Sequence, residues 1–98
     1  MEKRTAHYPL ASVKALIQAG KVRSTQSALA GAAALGIDLS QMLGIVLALE
    51  RGDFYKSMTT HGDSRIWQDV YRPSTEAGEV YLKLTVIEDV LIVSFKEL

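Results

Sequence analysis

Val80-Tyr-Leu-Lys-Leu-Thr-Val-Ile-Glu-Asp-Val-Leu-Ile-Val-Ser-Phe-Lys96 carries the reading of the whole chain. Apolar and polar residues alternate at period two on either side of Glu88-Asp89, the pattern of two antiparallel strands joined by a two-residue bend. With those two residues as the loop, Ile87 opposes Val90, and counting outward sets Tyr81 opposite Lys96. Opposed residues share a sheet face with Cβ atoms about 4.5–5.5 Å apart, so a phenol and an ammonium are brought together. Val80, Leu82, Leu84 and Val86 with Leu91, Val93 and Phe95 then form an apolar face, and Tyr81, Lys83, Thr85, Ser94 and Lys96 form the other. A slip of one residue would bury two lysines.

Upstream of the hairpin, Asp53 to Thr59 reads as a strand with Phe54, Lys56 and Met58 on one side, and Ile66 to Arg72 as another, ended by Pro73. Pairing Arg72 with Glu79 places Gln68, Val70 and Arg72 on the Tyr81 face. It also turns Asp69 toward the core, which costs several kcal/mol (about 2–7) unless the carboxylate finds partners. Tyr55 and Tyr71 fall one residue out of step and reach the Tyr81 face only from an edge.

The first half of the chain has a helical period instead. Leu10, Val13, Leu16 and Ile17 follow Pro9 and precede Gly20. An alanine-rich segment from Ser24 or Thr25 runs to Leu35 and stops at Gly36. Asp38 and Gln41 make a capping box for a third helix through Leu49, apolar nearly all round and expected to be the most buried. Lys21 to Arg23 is too short to assign beyond an extended step. Helices followed by antiparallel strands define an α+β domain over residues 1–98, with the helices on one sheet face and the other left available.

Composition narrows the function. The 98 residues are 48% hydrophobic and 22% charged, enough for one core and too apolar for a disordered chain. No cysteine is present, which removes thiolate nucleophiles, disulfides and cysteine-held zinc and suits the cytoplasm. Met42 to Leu49 is the longest apolar stretch and falls far short of the roughly 20 residues of a membrane span. Ser12, Lys14 and Gln18 interrupt any hydrophobic region behind Lys3 and Arg4, so no export signal is expected. The net charge is zero, yet residues 1–52 hold an excess of three positive charges and residues 53–98 an equal negative excess. Any nucleic-acid contact must therefore be local rather than spread over a broad basic surface.

The chemistry available on the open face is cationic and phenolic: Lys56, Lys83, Lys96, Arg72 and Tyr81, with Gln68 as a neutral hydrogen-bonder. No carboxylate or histidine pair accompanies the set. It suits a phosphodiester, whose extra charge in a five-coordinate transition state is stabilised by preorganised cations. RNA supplies its own nucleophile, since the 2′-hydroxyl can attack the adjacent phosphorus once a base takes its proton and an acid protonates the leaving oxygen.

At this point Asp53-Phe-Tyr-Lys-Ser-Met-Thr-Thr60, Ile66-Trp-Gln-Asp-Val-Tyr-Arg-Pro73, Val80-Tyr-Leu-Lys83 and Asp89-Val-Leu-Ile-Val-Ser-Phe-Lys96 resemble the MqsR family of bacterial toxins, part of the broader RelE-like group of ribonucleases. The likeness runs over the whole chain. It implies a RelE-like fold and a toxin of a type II toxin–antitoxin system that cuts mRNA, chiefly at GCU, with no metal and no cofactor. It also implies a zinc-binding, MqsA-like antitoxin as partner, no membrane association, and no DNA binding by this chain alone. Carried over by position, the catalytic set becomes Lys56, Gln68, Tyr81 and Lys96, and the RNA-recognition positions become Tyr55, Met58 and Arg72, with Lys83 beside them on the same face. Departures lie mainly in the helical half and the loops, including Ala28 to Ala34, His61 and Glu88.

Simpler readings stand next to these. Without the resemblance, a Lys/Tyr row on a sheet is a solvated face. Gln68 fits a surface amide, and Met58 fits a gap-filler at the sheet edge. His7 and His61 are isolated and read as surface residues, while Trp67 points away from Gln68 and reads as a core anchor. The functional alternative to the nuclease is a RelE-like module that binds antitoxin or single-stranded RNA, does no chemistry, and acts in transcriptional autoregulation.

Overall fold

A computed structural model describes residues 1–98. Helices α1 (Leu10–Gln18), α2 (Gln26–Ala34) and α3 (Leu39–Leu47) pack on a seven-stranded sheet. The strands are β1 (Glu2–Lys3), β2 (Val22–Ser24), β3 (Phe54–Thr59), β4 (Trp67–Tyr71), β5 (Ser74–Thr75), β6 (Gly78–Ile87) and β7 (Asp89–Glu97). Their order is β1-β3-β4-β6-β7-β2, with β5 paired only onto β6. The α+β class holds, but the sheet is mixed rather than antiparallel. The extended step at Lys21–Arg23 proves to be β2, which runs parallel to β7 at one edge, and the chain start forms β1 at the other. Strands of two or three residues carry too few alternations to register as a period.

Local chemistry ends and starts the helices where the sequence predicts. Gly20 and Gly36 take positive φ just after α1 and α2. Thr25 Oγ1 accepts the Ala28 N–H at 3.0 Å, capping α2, and donates to the Val93 carbonyl at 2.8 Å. Asp38 and Gln41 exchange both bonds of a capping box. Each helix buries two residues, so α3 is buried no further than its neighbours despite its apolar composition. Leu39 is exposed, and Leu43, Ile45 and Leu47 are half-buried. No single helix is long and apolar enough to cross a membrane.

The hairpin corrects the expected bend. Ile87 pairs with Asp89 across Glu88 alone, which takes φ +64°, so the turn is one residue tighter than a Glu88-Asp89 loop. Thereafter Val86 opposes Val90 and Leu84 opposes Ile92. The register then shifts at Val93, an extra residue on β7, so that Lys83 meets Ser94 and Tyr81 meets Lys96. The bulge cancels the tighter turn. As a consequence Val90 and Ile92, not Leu91 and Val93, complete the core face with Val80, Leu82, Leu84 and Phe95. Thr25 holds the bulge by its bond to the Val93 carbonyl.

Two further registers differ. Tyr71 opposes Leu82 and Val70 opposes Lys83, two residues along from an Arg72–Glu79 pairing. The loop after Pro73 instead folds back as β5, pairing Ser74 with Glu79. A shift of two preserves faces, so Val70 keeps the Tyr81 face but opposes Lys83 rather than Tyr81. Within β3 the register jumps between Phe54 and Lys56, making Tyr55 a bulge residue. Phe54 therefore pairs with Tyr71 and packs against the core, off the Lys56 face, in an edge-on contact at 5.5 Å.

Candidate functional site

The face opposite the helices is built row by row from these registers. Lys56 on β3 pairs with Val70 on β4, Val70 with Lys83 on β6, and Lys83 with Ser94 on β7. Val70 is fully buried yet lies outside the helix-packed core cluster. It is flanked across the sheet by Lys56 and Lys83, whose long side chains share its face. On the next row Tyr81 opposes Lys96, with the Lys96 Nζ 5.2 Å from the ring centroid. Met58 opposes Gln68 on the far side of Lys56. Lys56, Gln68, Tyr81, Lys83 and Lys96 therefore occupy neighbouring positions on a flat, accessible sheet surface rather than in a cavity.

Tyr55 joins this set because of its bulge, which corrects the expectation of an edge-only approach. The Arg72 guanidinium lies 4.7 Å from its ring centroid, Lys56 Nζ 5.5 Å and the Arg4 guanidinium 5.6 Å. An exposed aromatic ringed by three cations offers a stacking surface with positive charge around it. Tyr71, by contrast, is in the core, where burial pushes its phenol up to about 12.

One carboxylate joins the set, though no carboxylate pair does. Glu2 Oε1 accepts from Lys56 Nζ, because β1 pairs with β3 and puts Glu2 opposite Met58, diagonal to Lys56. The bond holds the Lys56 ammonium above its ordinary range and the Glu2 carboxyl below its own. Nothing in the composition or spacing of residues 1–9 marks this contact, since it depends on a two-residue strand. Lys83 moves the other way: burial first, and the neighbouring Lys96 charge second, hold it below the usual lysine range.

The N-terminal segment is pinned from beneath. Asp69 is fully buried, and its two carboxylate oxygens accept the His7 N–H at 3.0 Å and the Tyr8 N–H at 2.9 Å. These bonds offset the desolvation that an inward Asp69 demands. The His7 ring stacks on Trp67 at 5.2 Å and bonds Lys3 Nζ through Nδ1, and Lys3 Nζ lies 4.2 Å over the indole. Trp67 is thus half-buried beneath the chain start rather than anchored in the core. His7 is bound up in that cover. His61 is exposed in the loop after β3.

The geometry agrees with the comparisons to known proteins. The family described as motility quorum-sensing regulator, toxin of MqsA, matches residues 5–97. The chain is 60% identical over 97 residues to the mRNA interferase toxin MqsR of Escherichia coli (strain K12), covering 99% of each chain. With Tyr81 and Lys96 paired on the open sheet face and near-complete coverage of both chains, the protein belongs to the MqsR toxin family.

Proposed function

We propose that the chain is the endoribonuclease toxin of a type II toxin–antitoxin pair and cuts mRNA at GCU sites without a metal. The observation that carries this reading is the gathering of Lys56, Lys83, Lys96 and Tyr81 around Val70 on a face that no helix covers. RNA lies across it with one base against Tyr55 and its phosphates along the cation row. The 2′-oxygen attacks the adjacent phosphorus and the bond to the 5′-oxygen breaks. The 2′-hydroxyl proton leaves to a base and the departing oxygen receives one, giving a 2′,3′-cyclic phosphate and a 5′-hydroxyl.

Lys56 and Lys96 stabilise the charge of the five-coordinate phosphorus, Tyr81 takes part in proton transfer or hydrogen bonding there, and Gln68 positions the backbone. Arg72 and Met58 flank the base on Tyr55. Removing one preorganised donor of this kind costs about 10²–10³ in rate. The expected partner is a zinc-binding, MqsA-like antitoxin and the expected compartment the cytoplasm.

Growth tests the reading. Expression should arrest cells, co-expression of the antitoxin should relieve the arrest, and Tyr81→Phe should abolish it. RNA captured by the protein with no new 3′ ends would favour the non-catalytic binding module.

A further inference from the structure

A second basic feature borders the catalytic face. Around the β3 edge from Tyr55, a groove of about 690 Å³ is walled by Arg4, Lys14 and Arg51, with Phe54 and Tyr71 on its floor and no carboxylate in its lining. Half of the six cations of residues 1–52 gather here, which accounts for much of the positive excess of that segment. Lys14 is fixed by donating to the Leu49 carbonyl at 2.6 Å, and Arg4 and Arg51 are exposed with no carboxylate partner. Arg4 is shared with the catalytic face, lying over Tyr55.

The floor also asks for a ligand. Tyr71 is 1% exposed, and of the tyrosine hydroxyls only that of Tyr8 bonds a protein group. No sealed polar side-chain atom in the fold lacks a partner, so this hydroxyl reaches the groove, where it stays a neutral donor. The larger concavity, between α3 and β5, carries Glu50, Asp53 and Glu76 and no cation, and so repels a polyanion.

We infer that the Arg4–Lys14–Arg51 groove binds the phosphate backbone of single-stranded RNA as it leaves the Tyr55 platform around the β3 edge, with the Tyr71 hydroxyl donating to a phosphate oxygen. The site extends the proposed RNA reading and rests on it. It makes the protein favour long RNA over short, because a tetranucleotide spanning only the sheet face never reaches the groove.

The test uses the full chain and RNA carrying a 2′-O-methyl group at the cut site, so that binding is measured with cleavage blocked. Arg4→Gln/Arg51→Gln should weaken binding of an RNA of about 20 nucleotides about tenfold and flatten log Kd against log salt by roughly 0.7 per lost contact. Arg51→Gln alone, which leaves Arg4 over Tyr55, should lower the preference for that RNA over the tetranucleotide by as much as it weakens binding of the long RNA. Tyr71→Phe should weaken binding about threefold without changing the salt slope. Wild-type affinity and slope in all of these variants would overturn the groove. Failure of the wild type to cut unmodified RNA would instead overturn the nuclease reading, leaving the groove to stand or fall on the binding data.

Discussion

Glu2 and Lys56, 54 positions apart in the chain, are ion-paired at the rim of the open face. The cation proposed to meet the scissile phosphate is therefore paired with an internal anion, which an entering phosphate would displace. Glu2→Gln should lower KM for RNA a few-fold, within the small range of exposed ion pairs. It should also bring the Lys56 ammonium back down toward its ordinary range, seen as an earlier deprotonation in a ¹⁵N titration of its Nζ. An unchanged KM and titration would show that the pair has no hold on the site.

Lys83 gives the pH dependence the opposite sign. Its folded-state pKa lies below the free value because of burial first and Lys96 second, so between the two values the unfolded chain binds more protons. Stability then rises with pH through that window, and below it the Lys83 charge costs stability. Lys83→Met should raise Tm at neutral pH while weakening RNA binding, and Lys96→Met should raise the Lys83 titration midpoint.

Asp69 ties the start of the chain to the sheet through two backbone N–H groups. Asp69→Ala leaves both donors unsatisfied and should cost about 3 kcal/mol, lowering Tm by more than about 10 °C. Amide exchange at His7 and Tyr8 should accelerate more than in α2. Uniform acceleration across the fold would contradict the local role.

Gly31 sets the distance between α2 and β7. A Cβ there would lie 1.8 Å from the Phe95 carbonyl oxygen and 3.5 Å from the Lys96 Cα. Gly31→Ala should destabilise the fold by about 3 kcal/mol and displace the backbone that carries Lys96, lowering cleavage even where the protein remains folded. A fully stable and active variant would refute the close approach.

Much of this fold was legible in the chain because its strongest signals are periodic. The three helices and the β6–β7 hairpin follow from apolar spacing, capping residues and glycines. The Tyr81–Lys96 pairing follows too, although for a reason no count of residues contains: a one-residue turn at Glu88 and a bulge at Val93 offset each other. What escaped has the same physical origin. A bulge at Tyr55 is one residue of irregularity, and β1 and β2 are too short to show alternation. The Glu2–Lys56 and Asp69–His7 contacts depend on the placement of the chain start, so a site read as cationic and phenolic also includes one carboxylate.

The most direct test is cleavage of a defined GCU-containing RNA by the purified chain in EDTA, with the new termini mapped. Wild-type protein should cut there and leave a 2′,3′-cyclic phosphate and a 5′-hydroxyl. Lys56→Ala, Tyr81→Phe and Lys96→Ala should each lose about 10²-fold or more in rate while keeping the wild-type Tm. Cleavage that needs an added metal, or that survives Lys56→Ala and Tyr81→Phe combined, would contradict catalysis by this face.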